Sequence, residues 1–241
     1  MKQHYDLYEK DDFEVWKTLC NRQMSQLTIS ASATYLAGLE KINFSSDEIP
    51  RFNIINQKLK TLTKWELIVV PGLIPDLTFF ELMSNKKFPA TTWLRKKSEL
   101  DYLEEPDMFH DVFAHVPLLT DTFFVKFLAA LSSLGLTYGD NLDAIEALSR
   151  IYWFTVEFGL IREKDQLKIY GAGILSSSEE TTYCLSEKAT RFDFDLEKIM
   201  HLNFRKDVMQ DCYFIISSYE QLYESIPEIN KKMNLLYSKR K

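Results

Sequence analysis

Between Asp11 and Ile42 the apolar positions recur mostly three or four residues apart, which is the period of an amphipathic helix, and a break is predicted near Ser30. Gly38 weakens the end of that segment. A second helix is predicted from Ser45-Ser46-Asp47, whose short polar side chains can accept the unpaired amide hydrogens of a first turn, and it runs through Ile54 and Leu59. Pro50 is tolerable only within that first turn. Trp65 to Val70 is short, rich in β-branched residues and closed by Pro71-Gly72, so it is predicted as a strand, with Leu73-Ile74-Pro75 as a loop. From Asp76 the stretch DLTFFELMSNKKF reads as a short helix, and Thr91 to Leu94 as a second strand. The strongest patterning lies further on, where two long helices are predicted from Glu105 to Gly135 and from Asp143 to Glu163. Tyr170-Gly171-Ala172-Gly173 reads as a flexible turn leading into Ser176-Ser177-Ser178, and Tyr213 to Ile216 as a late strand followed by a helix from Ser218. With no internal repeat and no low-complexity linker, residues 1–241 are expected to form one domain, mainly α with small β elements.

A hydrophobic fraction of 46% and an aromatic fraction of 14% suffice to close one large core. The formal net charge of -6 provides no broad basic field, so neither a nucleic acid nor an anionic membrane surface is an expected partner. The Lys239-Arg240-Lys241 cluster reads as a solvated tail. Cys20, Cys184 and Cys212 are widely spaced and unpaired in pattern, which fits a reducing cytoplasm better than a disulfide framework or a zinc knuckle. No segment resembles a signal peptide or approaches the run of about 20 apolar residues that spans a bilayer.

Histidine occurs four times, and His110 and His115 fall close together in one apolar stretch, EPDMFHDVFAHVPLL. A spacing of five places two side chains about 140° apart on a regular α-helix, too divergent for chelation from one face. The helix is therefore expected to end between them, with Pro117 biasing Val116 out of the α region so that the second imidazole swings back. Two core histidines bonded to carbonyls remain an equal alternative on this pair alone. Glu157 adds weight, because it is the lone charge in IYWFTVEFGLI, and a buried carboxylate is costly unless it is paired or bound to a metal. Its bland alternative is an ion pair with Arg150, two turns earlier on the same face.

Two imidazoles and one carboxylate form the facial donor set of non-haem Fe(II) oxygenases, which leaves adjacent coordination positions open. A zinc hydrolase can use the same residue types, but its helical motif spaces the histidines by four with Glu directly after the first, whereas here Asp111 follows His110. A metal-free helical binding module with a structural polar triad is the third reading.

The segments WELIVVPGLIPDLTFF, EPDMFHDVFAHVPLLTD, IYWFTVEFGLI and IYGAGILSSSEE, in this order, resemble the tetrahydropterin-dependent aromatic amino acid hydroxylases, and within them most of all the bacterial phenylalanine 4-hydroxylases. The resemblance runs from about Trp65 to at least Tyr223, with the motif-bearing part at about 65–226. It implies a helical, basket-like catalytic domain in which His110, His115 and Glu157 bind Fe(II). Tetrahydrobiopterin or a related pterin would supply two electrons, O2 would be the co-substrate, and the ring of a free aromatic amino acid would be hydroxylated. Phenylalanine to tyrosine is the expected conversion, with tryptophan or tyrosine hydroxylation as the alternatives.

By the same resemblance, Gly72, Leu73 and Ile74 line the pterin with backbone groups, Phe79 stacks on it, and Asp111 is a contact beside the metal or the pterin. Arg95 would clamp the amino acid carboxylate, with Ser176 and Gly173 beside it and Glu180 orienting the arginine or the ammonium group. Trp153 and Phe158 would border the ring pocket. Without the motifs, Phe79, Trp153 and Phe158 read as core and Arg95 as a surface charge. Two departures stand out. Ala114 replaces the glycine common before the second histidine, and Leu103-Glu104 replaces the Thr-Pro that precedes the motif in the animal enzymes. The chain also lacks room for the regulatory and tetramerisation segments of animal members, so a catalytic-domain-only monomer is expected.

Overall fold

The computed structural model describes residues 1–101, 105–206 and 208–237. Helix α1 (Lys10–Ser30) starts where the Asp12 carboxylate accepts the Glu9 amide at 2.8 Å, and it buries Trp16, Leu19, Cys20 and Leu27. The predicted break follows, because Ala31 is extended and the Ser32 amide leaves the helix to bond the Ile169 carbonyl at 2.8 Å. The Ser32 hydroxyl then caps α2 (Ala33–Lys41) at the Tyr35 amide. Gly38 does not loosen this helix. A side chain there would collide with the Pro117 carbonyl, so glycine lets α2 lie directly against the chain beyond His115.

Helix α3 spans Phe52–Leu62, so the predicted start at Ser45-Ser46-Asp47 is corrected. The Ser45 hydroxyl closes a local turn onto the Asp47 amide, and the cap comes from a distance. Gln3 accepts the Phe52 amide at 2.9 Å and donates to the Pro50 carbonyl at 2.9 Å. Strand β1 (Glu66–Val69), helix α4 (Asp76–Ser84) and strand β2 (Lys87–Ala90) form a small parallel unit. The predicted strand at Thr91 to Leu94 thus lies four residues too late. Pairing stops at Ala90 because the Thr91 amide and hydroxyl turn to Asp111.

Neither long helix is continuous. The first consists of a π-helical turn (Phe109–His115), a 3-10 turn (Val116–Thr120) and α5 (Thr122–Thr137), with a bend of 112° at extended Asp121. Asp121 caps α5 by accepting the Phe124 amide at 2.8 Å. The second begins as α6 (Leu142–Tyr152), widens into a π-helical turn (Trp153–Glu157) and continues as strand β3 (Gly159–Glu163). Lys164 and Asp165, at φ 48° and 65°, form a left-handed turn into β4 (Gln166–Ile169). Backbone pairing on both sides of β3 outweighs the helical pattern of its side chains. The second sheet, ordered β4-β3-β6-β5, also contains β5 (Thr190–Asp193) and β6 (Cys212–Ile216).

The stretch predicted as a flexible turn is mostly helical. Gly171 precedes α7 (Ala172–Leu175), and α8 (Ser178–Tyr183) is capped by Ser177. Helix α9 (Leu196–His201) packs on α6, α10 (Tyr219–Glu224) packs mainly on α5, and α11 (Ile226–Tyr237) lies against α5 and α6; Ser218 caps α10, where a helix start was predicted. The mainly α reading with small β elements is borne out. One buried apolar cluster runs from Val15 to Met233, and within it Phe109 and Phe113 stack at 4.7 Å beneath the first π turn. Among the described residues no single helix is long and apolar enough to cross a membrane.

Candidate metal centre

The π turn resolves the spacing of His110 and His115. In a helix closed by i to i+5 bonds, residues five apart return to nearly the same face. The chain therefore does not leave the helix between the two histidines, contrary to the sequence-based expectation. Val116 stays in the right-handed helical region at φ -61°, ψ -38°, and Pro117 sits at the start of the next helical turn, where its missing N–H costs nothing. Glu157 is the last residue of the second π turn, closed by a 2.9 Å bond from the Phe158 amide to the Trp153 carbonyl.

The three side chains converge. Nε2 of His115 lies 3.2 Å from Nε2 of His110 and 3.2 Å from a Glu157 oxygen, and Nε2 of His110 lies 3.6 Å from the other Glu157 oxygen. Among the described residues no other cluster of His, Cys, Asp and Glu side chains meets in this way. Perpendicular donors about 2.1 Å from one divalent ion stand about 3 Å apart, so the donor set fits a metal bound on one face. The ion pair with Arg150 does not form. That guanidinium binds Glu146 at 2.6 Å, the Met200 carbonyl and Asn203.

The hydroxyl of Ser176 donates its single proton to the Ala172 carbonyl at 2.8 Å, so at 2.9 Å from His110 Nδ1 it must accept. Nδ1 then carries the ring proton and Nε2 presents a lone pair to the centre. Burial pushes the His110 pKa down to about 4, which keeps the ring neutral. Burial pushes the Glu157 carboxyl up, but the charge and hydrogen bond of His115, then His110 and the Gly173 amide, outweigh it and hold the group below its ordinary range. The ring of Phe88 packs on His115 at 5.0 Å.

Arg95 is buried rather than a surface charge. Its Nε and Nη2 each lie 2.9 Å from the two oxygens of Asp107, and its amide bonds the same carboxylate. Asp107, fully buried, also accepts the His110 amide at 3.1 Å, and so links the arginine to the first π turn. Sequence reasoning missed this residue, although an acid three places before His110 in an apolar stretch carried the same signal as Glu157. Asp111 is buried and accepts both the amide and the hydroxyl of Thr91, at 2.7 and 2.8 Å. Burial pushes its pKa up to about 7 against those bonds and the charge of His115.

Gly72 and Ile74 are half-buried and Leu73 is 71% exposed, in an open loop before α4. Phe79 meets Tyr152 edge-on at 5.4 Å. Burial and the nearby charges of Glu157 and Asp111 keep the Tyr152 hydroxyl protonated. Tyr152 precedes Glu157 by the same five residues that separate the histidines. Trp153 stacks on Phe204 at 4.4 Å, contacts Phe158 at 4.7 Å and donates its indole N–H to Gln210 at 2.8 Å. Phe158 lies so close to Gly173 that a side chain there would reach within 2.6 Å of the ring.

Glu180 does not orient Arg95, which Asp107 holds. Its carboxylate accepts from the Tyr213 hydroxyl and, at 3.1 Å, from the Gln210 amide. Ser176, expected beside the substrate, contacts the His110 ring. Ala114 is fully buried in the first π turn. Leu103-Glu104 and Lys239 to Lys241 lie outside the described residues.

Residues 5–240 match the family described as biopterin-dependent aromatic amino acid hydroxylase. A phenylalanine-4-hydroxylase of Chromobacterium violaceum is 46% identical over 226 residues, covering 93% of this chain and 76% of that protein. The human phenylalanine-4-hydroxylase is 34% identical over 223 residues, covering 91% of this chain and 49% of that protein. A crystal structure of the C. violaceum enzyme with bound iron(III) and oxidised 7,8-dihydrobiopterin superposes with a TM-score of 0.92 at 43% identity, covering 98% of this chain and 86% of that one.

Proposed function

The chain belongs to the biopterin-dependent aromatic amino acid hydroxylases, and on that premise we propose that it converts free L-phenylalanine to L-tyrosine, with Fe(II) held by His110, His115 and Glu157. The observation that carries this reading is the convergence of two imidazoles and one carboxylate on one point. Bound there, Fe(II) and a tetrahydropterin together supply the electrons and the oxygen activation that ring hydroxylation by O2 requires.

The chain's own residues bind, orient and exclude water. Ser176 fixes the tautomer of His110, so that Nε2 stays unprotonated. The open loop of Gly72, Leu73 and Ile74 offers backbone groups to the pterin, and Phe79, braced edge-on by Tyr152, offers it a ring face. Asp111, already holding Thr91, closes the pterin side of the centre. Arg95 keeps its Nε edge on Asp107, which leaves the Nη1 edge to take the amino acid carboxylate. Trp153, Phe158 and Gly173 border the ring, while Glu180 faces the ammonium group. Supporting this division of labour, Arg95 and Glu180 are buried charges and the aromatic residues are half-buried beside Glu157. One domain, acting as a monomer in the cytoplasm, suffices for the reaction.

The test is a pterin-dependent assay of the Fe(II)-loaded protein with each of the three aromatic amino acids, read as hydroxylated product. Tyrosine formed from phenylalanine with the highest kcat/KM is expected. Absence of any pterin-dependent product overturns the reading, and a higher kcat/KM for tryptophan or tyrosine reassigns the substrate.

A further inference from the structure

We propose that Gln210 is a positioning residue that sets the ring selectivity of the amino acid pocket by holding Trp153 and Glu180 in one fixed relation. The proposal rests on the reading above, in which those two residues border the substrate. Gln210 lies in the irregular stretch between α9 and β6, where a glutamine ordinarily reaches into solvent, yet it is only 4% exposed.

Its hydrogen bonds leave its amide no choice of orientation. The Trp153 indole can only donate, so the group 2.8 Å from it is Oε1. The carbonyls of Arg205 and Val208 can only accept, so they meet Nε2, at 3.0 and 3.2 Å. The backbone amide of the same residue donates to the Glu180 carboxylate at 3.1 Å. One residue thus touches the aromatic wall through its side chain and the acidic end of the pocket through its main chain, while gathering its own loop around both.

The consequence falls on Trp153. Its indole is stacked on Phe204 and packed against Phe158, and the bond to Gln210 fixes its in-plane rotation. Trp153 precedes Glu157 by four residues in the same π turn, so its position relative to the metal ligand is set by backbone. Its position relative to Glu180, on the separate helix α8, runs through Gln210. Losing that strut lets the wall shift against the polar end, which weakens discrimination between rings of different size more than it slows the reaction.

The test compares Gln210→Met, which keeps length but removes the side-chain hydrogen bonds, with Trp153→Phe, which keeps a ring but removes the indole N–H. In the iron-loaded enzyme each is expected to raise KM for phenylalanine about five- to tenfold, more than it lowers kcat, with iron content unchanged. The phenylalanine-to-tryptophan ratio of kcat/KM should fall by up to about tenfold. The double variant should be no worse than the worse single, because both break one contact. An unchanged KM and ratio in Gln210→Met, or additive losses in the double variant, overturns the proposal. If Gln210→Met does not fold, Trp153→Phe alone decides, since it too must raise KM and lower the ratio. Should Trp153→Ala and Glu180→Gln leave KM untouched, the pocket reading itself fails and the proposal with it. If those two raise KM while Gln210→Met does not, only the role of Gln210 is lost.

Discussion

The ligand-bearing π turns and the loop from Pro71 to Pro75, which the proposed reaction would bring together, are built in opposite ways. Around His110, His115 and Glu157 the backbone departs from regular helix and is held there by packed rings and partnered polar groups. The loop keeps Leu73 in solvent, without regular backbone structure. A metal demands donors fixed to a few tenths of an ångström, whereas a planar cofactor that must enter and leave needs accessible amides and carbonyls. Packing is dense where coordination needs it and sparse where the proposed cofactor would need access.

Substitutions should separate the two regions. The largest effect is expected at Glu157→Ala, which removes the anionic donor; iron content by metal analysis and turnover should fall by more than the factor of about 100 typical of residues behind the ligands. Next, Asp107→Ala strands the buried Arg95 guanidinium and should cost about 3–5 kcal/mol in urea unfolding. Ser176→Ala leaves the ligands in place but frees the His110 tautomer, so iron affinity should drop about 10- to 100-fold with little change in unfolding midpoint. The smallest stability change belongs to the open loop. Leu73→Ala should alter unfolding by no more than about 0.5 kcal/mol, and any deficit should appear in KM for the pterin. A large loss of stability there would erase the contrast between the regions.

The chemistry of the site was more legible in the sequence than its geometry. His110, His115 and Glu157 stand out because charged or ligating groups in apolar stretches demand an explanation. The widened helical turns that join them have no local signature, since they depend on what packs against them. The same holds for α3, whose cap comes from Gln3, far away in sequence. Strand β3 was concealed because Lys164-Asp165 makes a left-handed turn without the Asn-Gly pair that usually marks one. Without the motifs Arg95 reads as a surface charge, because its buried partner Asp107 lies 12 residues away, and Gln210 carries no sequence signal at all, being recognisable only through its partners.

Each π turn accommodates one residue more than an α-helical turn would, a local surplus that an isolated peptide would shed by relaxing to the tighter helix. In a loosened state of the chain, His110 and His115 would therefore rotate apart even while remaining helical. Iron affinity in this molecule is consequently a gauge of tertiary order, and should vanish on partial denaturation before the helical signal does.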